Sequence, residues 1–169
     1  RVDNLEGRTK FLEDHQFSTT TKLSGEVVFG LAQEFNQDGN QTVFQDRARL
    51  DFVTSFTGKD KLHTRLDMGN AVNPFNTDTL DQGALTYSTP TTPANDIQLG
   101  WLAYYFPIGE KIEVYLPAAF PLWVDFVPSI SPYLDSFTGA TGSLSSFGES
   151  NPIYKIGLSS GGGIGFNYN

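Results

Sequence analysis

The chain has 169 residues, no cysteine, a phenylalanine-dominated aromatic content of 14% and a net charge of −8. Lack of cysteine excludes disulfides, thiolate metal sites and thiol nucleophiles, and the acidic balance argues against nucleic acid, whose phosphates need clustered cations. No apolar run approaches the roughly 18–20 residues of a membrane-crossing helix, which leaves a β-barrel open because its strands alternate apolar and polar residues.

Charge is unevenly spread. After Arg65 the only cations are Lys111 and Lys155, so the basic residues gather in the early part of the chain. Val2, Leu5, Thr9 and Leu12 follow a 3-4-3 spacing between charged residues. This predicts a helix over residues 1–16, read blandly as a surface helix or linker and more sharply as the end of a coiled-coil linker, at a length that is marginal alone. Arg1 falls inside that pattern, so the chain reads as an internal or processed segment.

From Phe17 the period becomes 2. Thr19, Thr21, Leu23, Gly25, Val27, Phe29 and Leu31 share one face of a predicted first strand, and Ser18, Thr20, Lys22, Ser24 and Glu26 the other. Its length of about 15 residues exceeds the ~5–6 usual in globular sheets. The cluster 36–41 is a turn. Residues 42–69 then read as two long strands around Thr57-Gly58-Lys59-Asp60. Phe44, Ala48, Leu50, Phe52, Phe56, Leu62, Leu66 and Met68 form an apolar face. Arg47, Arg49, Asp51, Ser55, His63, Arg65 and Asp67 form a charged one. Asp46 falls on the apolar side near a strand end, where a charge at a membrane interface costs only about 0–1 kcal/mol.

Residues 70–96 are rich in Asn, Asp, Thr and Pro and predict a loop. A second hairpin follows. Ile97, Leu99, Trp101, Ala103 and Tyr105 alternate with Gln98, Gly100, Leu102 and Tyr104, a turn is predicted at 107–111, and Ile112, Val114, Leu116 and Ala118 alternate with Glu113 and Tyr115. Residues 117–152 are a proline-rich connection, and residues 154–158 with 163–169 read as a glycine-rich strand or pair of strands. Short and long connections alternate strictly. That is the habit of an antiparallel up-and-down transmembrane β-barrel, although a soluble sandwich with uneven loops shares part of the pattern.

Several stretches, in this order, carry a resemblance. They are Phe17-Ser18-Thr19-Thr20-Thr21-Lys22-Leu23-Ser24-Gly25-Glu26, Gln45-Asp46-Arg47-Ala48-Arg49-Leu50-Asp51-Phe52, Ser55-Phe56-Thr57-Gly58-Lys59-Asp60, Thr64-Arg65-Leu66 with Gly69-Asn70, and Ser143 to Tyr154. Together they resemble cyanobacterial outer-membrane porins of the carbohydrate-selective (OprB-like) superfamily, often called iron uptake porins. The resemblance implies an upstream surface-layer-homology domain bound to peptidoglycan or another wall polymer, a coiled-coil linker and a homotrimeric barrel in outer-membrane lipid. Residues 17–169 would then be the N-terminal portion of the barrel, since a water-filled porin needs about 16–18 strands.

In a porin the charged ladder Lys22, Glu26, Arg47, Arg49, Asp51, His63, Arg65 and Asp67 is the pore lining. Residues 117–152 correspond to the loop that folds inward, with Trp123, Asp125, Asp135 and Glu149 at the constriction and Trp123, Phe126 and Tyr133 as a track for sugar rings. A basic wall opposite an acidic loop sets a transverse field. The bland alternative is that the arginines pair with carboxylates and only stiffen the wall. His63 near Asp51 or Asp67 offers a base, but no serine sits in a nucleophile elbow and the two histidines lack metal-site spacing, so no catalytic residue, metal or cofactor is assigned. The expected function is passive diffusion of small hydrophilic solutes, ions and sugars among them. The alternatives are an envelope anchor and a soluble carbohydrate-binding sandwich using Trp101 and Trp123.

Overall fold

The structure is a computed structural model that describes residues 20–33, 35, 42–71, 85–88, 95–121, 125–127, 140–146, 148–149, 151–155 and 162–168. The predicted linker helix over 1–16 and the turn cluster 36–41 lie outside these residues.

Among the described residues six strands form one antiparallel sheet: β1 (Thr21–Gln33), β2 (Thr42–Thr54), β3 (Lys61–Gly69), β4 (Gln98–Ile108), β5 (Ile112–Ala119) and β6 (Gly165–Tyr168). Each strand pairs with its neighbours in sequence, so the order is β1-β2-β3-β4-β5-β6 and the topology is up-and-down. There is no α-helix among the described residues. The sheet is open, with β1 and β6 at its edges. β1 and β2 have 13 residues each, more than the ~9–11 that a tilted strand needs to cross a bilayer. The short connections, β2–β3 and β4–β5, lie at one end and the three longer ones at the other.

The faces are inverted relative to a water-soluble sheet. Phe29 is 70% exposed and Leu31 76%, and Leu23, Val27, Phe44 and Phe56 are exposed on the same side. On the opposite side Arg47 is 0% and Asp67 5% exposed, and Arg65 and Gln45 are buried too. Burying charge while leaving phenylalanine bare is costly in water and becomes sensible only where the apolar side meets an apolar medium.

Two irregularities decide which residues share a face. Arg65 pairs with Trp101 but Leu66 with Leu99, leaving Gly100 as an extra residue in β4. A Cβ at Gly100 would meet the Asp67 carboxylate. This bulge puts Leu99 on the apolar side and Trp101, Ala103 and Tyr105 on the polar side, correcting the expectation that Leu99 and Trp101 share a face. A second bulge leaves Ala118 unpaired between Pro117 and Ala119. Of the strand expected at 154–158, residues 156–158 lie outside the described residues, and Tyr154 and Lys155 are not extended. Pro152–Lys155 is a single 3₁₀ turn, and the terminal strand is confined to Gly165–Tyr168.

The turn between β2 and β3 is built on one carboxylate. Buried Asp60 accepts hydrogen bonds from the Thr57 hydroxyl (2.6 Å) and amide (2.7 Å), the Ser55 hydroxyl (3.0 Å) and the Phe56 amide (3.1 Å). It also accepts one from the Tyr104 hydroxyl of β4 at 2.8 Å. Gly58 supplies the left-handed residue, with φ of 81°. These donors, the Thr57 hydroxyl foremost and burial partly opposing, hold the Asp60 carboxyl well below the usual carboxylate range. A group with a depressed folded pKa stabilises fully above its unfolded value of about 3.9 and loses that contribution as pH falls through the folded value. Protection of the Phe56 and Thr57 amides from hydrogen exchange is therefore expected to hold from neutral pH down to about 4 and to decline below it. In Asp60→Asn it should be weaker at every pH and lack that acid step. An unchanged acid step in the variant would remove Asp60 as its source.

Candidate functional site

The period-2 pattern of β1, β2 and β3 delivers the charged residues to one face, and the register sets their neighbours. Glu26 lies opposite Arg49, Arg49 opposite Asp67 and Asp51 opposite Arg65. Side chains directly opposite or diagonal on one face are within reach of each other, and the structure uses both routes. Arg49 pairs straight across with Asp67 at 3.1 Å. Arg47 reaches diagonally to Glu26 at 2.6 Å. Asp67 is shared with Arg65 at 3.4 Å, and Arg65 also donates to the Gly100 carbonyl. His63 Nδ1 lies 3.7 Å from Asp51. Lys22, opposite Val53, is exposed at the short-turn end and makes no ion pair with a described residue.

Aromatic rings continue the face across β4 and β5. Trp101, only 2% exposed, packs against His63 with ring centroids 4.7 Å apart. The Arg65 guanidinium lies 5.8 Å from the Trp101 ring, a cation–π contact. Tyr105 contacts His63 and Tyr115, and Tyr115 stacks on Phe126 at 5.5 Å and 13°. Phe126 belongs to the long β5–β6 connection. The space that a Cβ would need at Gly165 is occupied by its ring. The Tyr105 hydroxyl donates to the Asp125 carbonyl at 2.7 Å, and Tyr115 approaches the Asp125 carboxylate at 3.4 Å. Residues 125–126 are thus seated on the polar face of β4, β5 and β6.

Residues 1–169 match the family described as carbohydrate-selective porin, OprB family. The chain belongs to this family. It is 43% identical over 178 aligned positions to the uncharacterized protein alr4550 of Nostoc sp. (strain PCC 7120), covering 99% of this chain and 30% of that protein. It is 37% identical over 174 positions to the uncharacterized protein sll0772 of Synechocystis sp. (strain PCC 6803), covering 99% of this chain and 31% of that one. The chain therefore spans about a third of the length of these curated relatives. No solved structure matches.

For an OprB-family sheet, the sequence-predicted residues distribute as follows. Glu26, Arg47, Arg49, Asp51, His63, Arg65 and Asp67 form one connected patch. Asp125 joins the polar face further along, at Tyr105 and Tyr115. Glu149 is half-buried in a turn whose amide bonds to the Ser146 carbonyl. Trp123, Tyr133 and Asp135 lie outside the described residues. Sequence reading missed that Trp101, Tyr105 and Tyr115 extend the charged face. Gly100 was the available signal, because an isolated glycine in a strand marks a bulge. It also missed Tyr87, which nothing in its loop context singled out.

Proposed function

We propose that this chain forms part of the wall of an outer-membrane channel through which small hydrophilic solutes, inorganic ions and sugars among them, diffuse passively. The observation that carries the reading is the inversion of faces: bare phenylalanine, leucine and valine on one side, buried arginine and aspartate on the other. Family membership supports the same reading. In it the apolar side meets lipid, and Lys22, Glu26, Arg47, Arg49, Asp51, His63, Arg65 and Asp67 face the water-filled side. The seat of Asp125 and Phe126 supports an inward course for the β5–β6 connection, to which Trp123, Asp135 and Glu149 also belong. Cations on the strands opposite carboxylates on that connection would give the pathway a transverse field.

The soluble-sandwich alternative loses support. The described strands form one sheet, and Trp101 is packed within the aromatic cluster rather than offered to a sugar.

The test is reconstitution of the full-length protein in planar bilayers, where discrete conductance steps are expected. Gly165→Val, which fills the Phe126 seat, is expected to raise or destabilise the step size, whereas Gly163→Val, with open space around it, is not. Wild-type protein that inserts yet shows no steps would overturn the channel reading. Equal conductance in Gly165→Val and wild type would overturn the inward connection alone.

A further inference from the structure

Two of the long connections hold each other. Leu85 of the β3–β4 connection forms an antiparallel bridge with Ser145 of the β5–β6 connection. Beside it the Thr86 amide donates to the Leu144 carbonyl at 3.0 Å, and the Thr86 hydroxyl donates to the Ser143 carbonyl at 2.6 Å. The Ser88 amide closes a turn onto the Leu85 carbonyl. The next residue after Thr86 is Tyr87, which reaches the strands and is 7% exposed. Its hydroxyl lies 3.4 Å from the amide oxygen of Gln45, which is buried on β2. Its hydroxyl and the ring edge that bears it fill the space that a Cβ would need at Gly30 of β1. Gly30 and Gln45 are register partners, on the same face as Arg47 and Glu26. A long hydrogen bond of 3.4 Å is weak, so the fit of the ring to the glycine is the main restraint.

Fixing a segment of a long connection costs chain entropy, which its contacts must offset. We propose that Tyr87 is a positioning residue. Seated on Gly30 and Gln45, it holds Thr86 where Thr86 captures residues 143–145, so a notch on β1–β2 fixes where the β5–β6 connection lies at the long-loop end. The inference rests on the channel reading for its consequence, a fixed aperture, but the clasp itself is independent of it.

The experiment uses the full-length protein in lipid. Hydrogen exchange is followed by mass spectrometry on the peptides holding Thr86 and residues 143–146, together with single-channel conductance. Tyr87→Ala and Gly30→Val are expected to speed exchange in both peptides at least tenfold and to broaden the conductance distribution. Tyr87→Phe, which keeps the ring and loses the weak bond, should stay within about threefold of wild type. Thr86→Val, which leaves Tyr87 seated, should speed exchange in the 143–146 peptide while sparing the Tyr87 seat. Unchanged exchange at 143–146 in both Tyr87→Ala and Gly30→Val overturns the clasp. If those larger changes prevent folding, unchanged exchange in both peptides of the milder Tyr87→Leu overturns it equally. Faster exchange with no channel steps in wild type would uphold the clasp and overturn the channel reading instead.

Discussion

Val27→Arg is expected to destabilise the folded protein in lipid by about 2–4 kcal/mol, the cost of a cation on the lipid face near the bilayer midplane. Val27 is the middle residue of β1, opposite Ala48, and its side chain is exposed on the apolar face. Phe44→Arg, on the same face but at the long-loop end of β2 and opposite Leu31, should cost only about 0–1 kcal/mol because the charge reaches the interface. The gradient between the two is the discriminating quantity. On a sheet whose exposed face meets water, both substitutions would fall within about 0.5 kcal/mol of neutral. Urea titration of the lipid-reconstituted full-length protein, followed by tryptophan fluorescence, measures both. Equal costs at the two positions would mean that the apolar face does not sit in hydrocarbon.

The second large effect concerns Arg47, which has no solvent exposure and pairs with Glu26. Glu26→Ala leaves a guanidinium in a site closed to water. Breaking a buried pair in this way costs about 3–5 kcal/mol. A cost of about 3 kcal/mol or more is therefore expected. The reverse change is gentler. Arg47→Met fills the site with an apolar side chain and leaves Glu26, whose carboxylate is part-exposed, to be solvated, at about 0–1 kcal/mol. The ranking, with the carboxylate variant worse than the arginine variant, follows from which partner can reach water. If Arg47→Met unfolds at lower urea than Glu26→Ala, the burial argument is wrong for this pair.

What could be read from the sequence is what a period of 2 encodes. The charged and apolar faces of β1 to β3 and the alternation of short and long connections follow from residue order alone. The partners of Glu26 and Asp51 do not. Glu26 faces Arg49 in register yet bonds Arg47, and Asp51 faces Arg65 yet lies by His63. That choice depends on side-chain reach and on Asp67 being shared by two arginines, which no spacing reveals. β4 misled because one inserted residue, Gly100, reverses the parity on either side of it. The seats of Tyr87 and Phe126 were hidden for another reason. Each depends on the absence of a side chain, at Gly30 and Gly165, on a strand far away in sequence, and a missing side chain leaves no pattern to find.

The Asp60 turn also bears on the order of assembly. Its bonds to Thr57 span three positions, whereas its bond to Tyr104 spans 44. Closing a few residues is fast and costs little chain entropy, while bringing in a distant strand is slower and costs more. The β2–β3 hairpin can therefore acquire its carboxylate-centred turn first. It then presents an acceptor that recognises the fourth strand by its tyrosine. One aspartate is thus placed to shape a local turn and then to favour the correct alignment of an incoming strand.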